Sequence, residues 1–264
     1  MRRLRHLELH TGHLSLHADS PELDAAGAAG CLRVGHAIVR TGDDLTGLAG
    51  RLRATDWDAV EIDVLEHRGR LLVAHDSGDL AHPVPLPFDE ALAALSAAVP
   101  ARTGLIVDLK AVGYERAVVD VVRELELTDR TLVSTMLPAS LAALRAVAPS
   151  VRRGLSVPRA RRNYLAHPVT RPVALALMAG VSRMLPPRAR ATIGSGLAHA
   201  IMAHWAVVTP ALVAAVHGAG GELYAWTVDD PVRLRRVQAL GVTGVISNEA
   251  TLFWPVGSEA GGSR

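Results

Sequence analysis

Cysteine and lysine are almost missing from this 264-residue chain, which has one of each, Cys31 and Lys110, against 27 arginines. A lone cysteine excludes an internal disulfide, and its place in an apolar, strand-like run predicts a buried thiol rather than a nucleophile. Long apolar runs are missing too. The longest, Val173 to Val181 between Arg171 and Arg183, is about half of the ~20 residues that a spanning helix needs, so no transmembrane helix is expected. The N-terminus is broken by Arg5, His6, Glu8 and His10 before any apolar core of a signal peptide forms, which makes the cytoplasm the expected compartment. No glycine-rich dinucleotide or P-loop fingerprint opens a helix, which disfavours a nucleotide-cofactor fold.

Acidic residues are absent over one long stretch. From Arg130 to Gly221 there is no Asp or Glu, while 11 arginines occur, and the other 17 basic residues are outnumbered by 26 acidic ones, so an acidic body carries a basic middle. Such an asymmetry favours an anionic partner, either a phosphate-bearing substrate or an anionic lipid surface. Nucleic acid is not expected, because aromatics make up only 3% of the chain and the basic stretch has few of them for stacking on bases.

What is present is a chain that is 49% hydrophobic and 20% charged, enough for one large core. A short hairpin around Thr11-Gly12 and an Ala/Gly-rich linker at 25–30 predict an N-terminal extension over residues 1–30. From residue 31 the pattern alternates. Strands are expected near 32–37, 59–65, 104–110, 131–136, 153–157, 205–209, 222–228 and 243–247. Helices are expected near 43–54, 88–98, 114–126, 138–147, 210–219 and 231–240. Eight strands in βα units close a TIM-type (β/α)8 barrel over residues 31–264. A helical insertion follows the fifth strand at about 158–204, with apolar stretches at 169–184 and 196–204 separated by Pro186-Pro187. Its place after a strand C-terminus puts it on the catalytic face, as a cap or a membrane contact.

Chemistry-bearing residues gather at the first strand ends. Glu61 and Asp63 in Val60-Glu61-Ile62-Asp63-Val64 stand two apart and share one strand face, as do Asp108 and Lys110 in Val107-Asp108-Leu109-Lys110. The first strand ends at Gly35-His36. A hairpin turning at Arg68-Gly69 brings His75 approximately level with Ile62 and Asp63. Two inward acids at a barrel strand's end are costly without a cation, and an all-carboxylate set selects a hard ion, Mg²⁺ or Ca²⁺. Lys110, retained where arginine serves everywhere else, is a candidate for a lysine-specific role.

Glu61-Ile62-Asp63-Val64, Leu72-Val73-Ala74-His75-Asp76, Val107-Asp108-Leu109-Lys110 and Ala225-Trp226-Thr227-Val228-Asp229, in this order, resemble the glycerophosphodiester phosphodiesterase family, within the phospholipase C-like phosphodiesterase superfamily, over approximately residues 32–252. The resemblance implies a TIM-type barrel, one divalent cation held by Glu61, Asp63 and Asp108, and His36 and His75 as acid and base. It also implies a phosphate contact by Lys110, Trp226 lining the substrate site, and hydrolysis of a glycerol phosphodiester or a lysophospholipid. The chain reads as a divergent member. His36-Ala37-Ile38 stands where the family reads His-Arg-Gly, which leaves Arg40 or an insertion residue to replace the arginine, Asp108 stands for a Glu, and Ser247-Asn248-Glu249 replaces Thr-Asp-Arg. The alternative function is a barrel that binds a phosphate ligand without turnover.

Overall fold

Short apolar segments separated by amphipathic ones close on themselves in the computed structural model, which describes residues 30–40, 45, 48–53, 55–81, 85–157 and 171–253. The strands are β1 (Leu32–Val39), β2 (Ala59–His67), β3 (Arg70–Leu72), β4 (Gly104–Leu109), β5 (Thr131–Thr135), β6 (Arg152–Ser156), β7 (Ala200–His204), β8 (Glu222–Trp226) and β9 (Gly244–Ser247). All but β3 pair in parallel with two neighbours, and β9 pairs back onto β1, which closes an eight-stranded ring. The helices α1 (Leu48–Arg53), α2 (Phe88–Ala98), α3 (Glu115–Glu124), α4 (Pro138–Val147), α5 (Arg171–Gly194), α6 (Pro210–His217) and α7 (Pro231–Ala239) lie between the strands. This is the TIM-type barrel expected from the alternation of elements.

Strand periodicity sorts the core into two layers. Val34, Ala59, Ile106, Leu132, Met202, Tyr224 and Ile246 point inward and fill the barrel. Residues one step along, such as Val60, Ile62, Val107 and Leu109, point outward and pack under Phe88, Leu92, Val118 and Val122 of the helices. A Cβ at Gly244 would lie 2.6 Å from the Tyr224 ring, so the largest inward side chain fits only against glycine. Helix starts are set locally. Asp230 caps α7 by accepting from the Val232 and Arg233 N–H groups at 2.9 Å each, with Pro231 at the first helical position.

The hairpin predicted at Arg68-Gly69 forms, with φ of +52° and +77°, the two left-handed residues that a tight turn between twisted strands requires. Elsewhere the expectations need correction. The sixth barrel strand is Ala200–His204 rather than 205–209, and Trp205–Val207 is a short 3₁₀ turn. Its first four residues are buried on both faces, so the segment carries no alternation and reads as an apolar helix end. The insertion therefore ends before Ala200. Its helix α5 continues through Pro186-Pro187 instead of stopping there. Residues 158–170 and the 1–29 extension, with its predicted hairpin, lie outside the described residues.

Part of the basic middle is structural. Arg152 pairs with Glu222 at 2.7 Å, and Tyr224 donates to the same carboxylate at 2.9 Å, at the N-terminal end of the barrel strands. The buried Arg153 guanidinium donates to the carbonyls of Val151, Pro149, Gly196 and Leu197, tying the turn before β6 to the turn before β7.

Candidate active site

The inward face of β2 continues from Ala59 through Glu61 to Asp63, and that of β4 from Ile106 to Asp108. The parallel register sets Asp63 beside Asp108. One oxygen from each of Glu61, Asp63 and Asp108 lies within 4.8 Å of the others, and all three residues are buried. Lys110 follows β4, and its ammonium sits 2.7 Å from Asp63 Oδ1 and 2.6 Å from Asp108 Oδ2, with its side chain only 12% exposed. Ser134, level with Asp108 on β5, donates to Asp108 Oδ1. The Tyr114 hydroxyl accepts from the Lys110 and Ala111 N–H groups and donates to Val64 O at 2.8 Å, fixing the turn from which Lys110 reaches back.

The electrostatics follow from that crowding. Burial, and then the charges of Asp63 and Asp108, push the Glu61 carboxyl well above the usual carboxylate range, against the opposing pull of Lys110 and the Ala37 N–H. Burial works against the Lys110 ammonium, but Asp108, Asp63 and Glu61 outweigh it and raise its pKa. Among the described residues Glu61 Oε2 is buried with no hydrogen-bond partner, and His36 Nε2 lies 3.8 Å from it. Asp63 Oδ1 has the Lys110 ion pair and, among the described residues, no aligned hydrogen bond. Converging oxygen donors with an unsatisfied buried lone pair fit a hard divalent cation.

His36 reaches this cluster through a bulge. Between Gly35, opposite Val60, and Val39, opposite Ile62, β1 carries two more residues than β2. Ala37 takes φ +43° there, and its N–H is turned onto Glu61. Position 37, where the resemblance implies an arginine, thus gives a backbone donor to a carboxylate of the cluster. His36 Nδ1 lies 2.9 Å from Asn248 Oδ1, and Asn248 Nδ2 donates to Asp229 at 2.7 Å. Arg40 donates to Asn248 Oδ1 at 3.3 Å and to Ala37 O at 3.2 Å.

The remaining expected residues lie outside this network. Pairing of β3 with β2 ends at Leu72, before His75. The His75 side chain is 62% exposed with Asp76 at 3.8 Å, and its N–H donates to Asp79 at 2.7 Å. Trp226 ends β8, packs on the inner barrel layer and meets His204 edge to face at 5.6 Å, its indole N–H buried without a partner among the described residues. Cys31 is half-buried, and its thiol, pushed up to about 12 by burial and then Asp58, is no nucleophile at neutral pH. Asn248, Asp229 and Ser134 join the network without being among the expected site residues. Asn248 is two residues past the inward Ile246, and that spacing was the available signal.

The sequence profile described as the glycerophosphoryl diester phosphodiesterase family matches residues 101–252, which holds Asp108, Lys110, Trp226 and Asn248. No curated protein matches the chain. Solved structures extend the likeness to the N-terminal strands. A glycerophosphodiester phosphodiesterase from Agrobacterium tumefaciens superposes with a TM-score of 0.58 at 19% identity, over 84% of this chain and 98% of that one. A phosphodiesterase from Oleispira antarctica, in complex with the product sn-glycerol-3-phosphate, gives 0.57 at 18%, over 82% and 92%. A glycerophosphodiester phosphodiesterase from Parabacteroides distasonis gives 0.59 at 15%, over 83% and 94%. With more than half of its length matched by the family profile, the chain belongs to the glycerophosphoryl diester phosphodiesterase family, a family of phosphoric diester hydrolases.

Proposed function

We propose that this protein hydrolyses a glycerol-linked phosphodiester, using one divalent cation, Mg²⁺ or Ca²⁺, held by Glu61, Asp63 and Asp108, with His36 and His75 as the proton-transfer pair. The observation that carries this reading is the convergence of three buried carboxylates within 4.8 Å, with His36 Nε2 at 3.8 Å from one of them. A product complex of the Oleispira antarctica relative supports a small glycerol phosphate ligand for this mouth.

A hard cation in this oxygen set would neutralise the nonbridging phosphate oxygens. Lys110 lends a second positive charge from the β4 side, and Arg40, at the end of β1, a third. His36 takes the proton of the attacking hydroxyl, which belongs to the substrate's own glycerol and forms a bond to phosphorus. The bond from phosphorus to the leaving oxygen breaks, and His75 gives that oxygen its proton. Water then opens the cyclic phosphate with the two histidines in exchanged roles. Trp226 lines the substrate's path along the inner wall. The barrel over 31–264 carries the whole site, and its compartment in this reading is the cytoplasm.

A lysophospholipid is the second substrate reading. It is favoured by Val112 and Met136, 55% and 43% exposed on the loops that follow β4 and β5 at the mouth, and it goes with the reading of the 158–204 segment as a peripheral membrane contact. No helix among the described residues is long and apolar enough to cross a membrane. Phosphate binding without turnover draws on Ala37, which stands in place of a phosphate-gripping arginine.

The test is ³¹P NMR of purified protein with glycerophosphocholine or lysophosphatidylcholine, each with Mg²⁺, Ca²⁺ or EDTA. Metal-dependent cleavage that EDTA stops is expected. Phosphate binding by calorimetry with no cleavage of either substrate would replace the enzyme reading with the binding one.

A further inference from the structure

Behind His36, on the side away from Glu61, Asn248 and Asp229 form a hydrogen-bonded chain that leads away from the cluster of Glu61, Asp63 and Asp108. Asp229 follows β8 and accepts at both oxygens: the Asn248 N–H at 2.8 Å and the Ser247 hydroxyl at 3.1 Å on Oδ1, and Asn248 Nδ2 at 2.7 Å on Oδ2. An ionised carboxylate cannot donate, so the Asn248 amide can face it only with its NH₂. The amide oxygen therefore faces the other way, where it meets two ring or guanidinium nitrogens, His36 Nδ1 at 2.9 Å and Arg40 Nη2 at 3.3 Å. An acceptor oxygen at that distance requires a proton on Nδ1. Neutral His36 then has its free lone pair on Nε2, the nitrogen on the Glu61 side.

We infer that Asn248, itself oriented by Asp229, is a positioning residue that fixes His36 as the Nδ1–H tautomer and so presents an unprotonated Nε2 to the reacting hydroxyl. The inference rests on the proton-transfer role given to His36 above and deepens it. The reason for such a device lies in the two nitrogens of the ring, of which only Nε2 is on the side of Glu61, 3.8 Å from Oε2. An imidazole with no partner at Nδ1 can carry its proton on either nitrogen, and with the proton on Nε2 it has no lone pair there for the substrate. Asn248 removes the choice from the opposite side of the ring. A third group that sets the tautomer of a catalytic histidine is the logic of hydrolase triads, here with a neutral amide in contact with the ring and the carboxylate one step further out. The supporting segments are tied together, since the Val228 N–H donates to Ile246 O at 3.0 Å and holds the Asp229 turn against the end of β9. Ser247 is fully buried, which leaves the Asp229 to Asn248 spacing little room to drift.

The chain of hydrogen bonds can be inverted without being broken. With Asn248→Asp alone, two carboxylates face each other across 2.7 Å. With Asn248→Asp and Asp229→Asn together, residue 229 donates its NH₂ to the carboxylate at 248, which still accepts from His36 Nδ1, while the oxygen of residue 229 still takes the Ser247 hydroxyl and the 248 N–H.

The experiment has two readouts on the full chain. Long-range ¹H–¹⁵N spectra of ¹⁵N-histidine protein, above pH 8 in EDTA, assigned with His36→Gln, read the tautomer without any substrate. An unprotonated Nε2 is expected in the parent and in the double variant, and an Nε2–H in Asn248→Ala. Kinetics on glycerophosphocholine with Mg²⁺ are expected to show kcat for Asn248→Ala lower by about 10- to 100-fold. Its KM should change no more than in Arg40→Ala, since that variant loses the other contact of the same amide, and the double variant should recover most of the kcat lost. An Nε2–H in the parent overturns the inference, as does a kcat for Asn248→Ala within about twofold of the parent. If the parent turns over neither diester, the proposed function fails by itself, and the tautomer spectra still decide the role of Asn248.

Discussion

Lys110 Nζ lies 2.6 Å from Asp108 Oδ2, two residues back along the same strand direction and on the same face. The ammonium is thus part of the acid cluster rather than a neighbour of it, and it reaches Asp63 on the adjacent strand equally closely. A compact charge with three donors can fit between two carboxylates that a planar guanidinium would have to push apart.

Replacing Lys110 with arginine is therefore expected to lower kcat/KM by about 100-fold or more while the circular dichroism spectrum is unchanged. Lys110→Met removes the ammonium altogether and leaves buried carboxylates without a counter-charge. Its stability in EDTA should drop by about 3–5 kcal/mol in urea unfolding. Turnover by Lys110→Arg at the parent's rate would make the chain's single lysine incidental to the reaction.

Glu61→Gln and Asp63→Asn are expected to abolish Mg²⁺ and Ca²⁺ binding in calorimetry without unfolding the protein. The pH dependence carries the sign. Because the folded-state pKa of Glu61 is raised, the folded chain keeps a proton that the unfolded chain releases above about pH 4.3. In EDTA this group's contribution to stability is therefore greatest below that pH and is lost as pH rises toward the folded-state value. Glu61→Gln should flatten this decline and melt, near neutrality, no lower than the parent. Unchanged metal affinity in both variants would remove these residues from the ligand set.

His199 predicts the opposite slope. Burial, and then the nearby charges of Arg153 and Arg152, depress its pKa to about 4, and its Nδ1 accepts the Arg153 N–H at 3.0 Å. The unfolded chain takes up a proton that the folded chain refuses, so stability should fall as pH drops from about 6.5 to about 4. The half-buried ring is partly screened by solvent, which limits the loss to about 1–2 kcal/mol. In His199→Asn the amide oxygen can still accept from Arg153, and urea titrations at pH 7 and pH 4.5 should show a smaller difference than in the parent.

On α5, Arg183, Met184, Arg188 and Arg190 are exposed. If this segment meets a lipid surface, cosedimentation with vesicles should rise with anionic lipid and weaken with salt, as exposed charges are screened over about 8–10 Å. Reversing the three arginines to Glu should then reduce hydrolysis of lysophosphatidylcholine more than that of glycerophosphocholine. Equal losses on both substrates would return the helix to a plain packing role.

The residues that proved legible are those whose position follows from the twofold period of a strand. Glu61, Asp63, Asp108 and Lys110 could be placed together before any fold was known, because i and i+2 share a face and parallel strands end together. What escaped depends on departures from that period. The bulge after Gly35 turns Ala37's backbone, not its side chain, onto Glu61, and no residue type announces such a bulge. The Asn248 to Asp229 contact needs β8 and β9 to be neighbours with their ends level, a relation between segments about 20 residues apart. The strand 200–204 escapes the pattern because burial on both faces erases the alternation that marks a strand.

Closure of the ring has a consequence for solubility in a chain so rich in alanine, valine and leucine. Among the described residues the one strand with a neighbour on a single side is β3, three residues long. Its far side is met at Leu72 by Pro87, which has no N–H to offer a passing strand, and Arg70 at its other end carries a charge. An intruding peptide therefore finds almost no ladder to extend, and these strands, though apolar enough to template aggregates if laid open, are mutually capped by the circle they form.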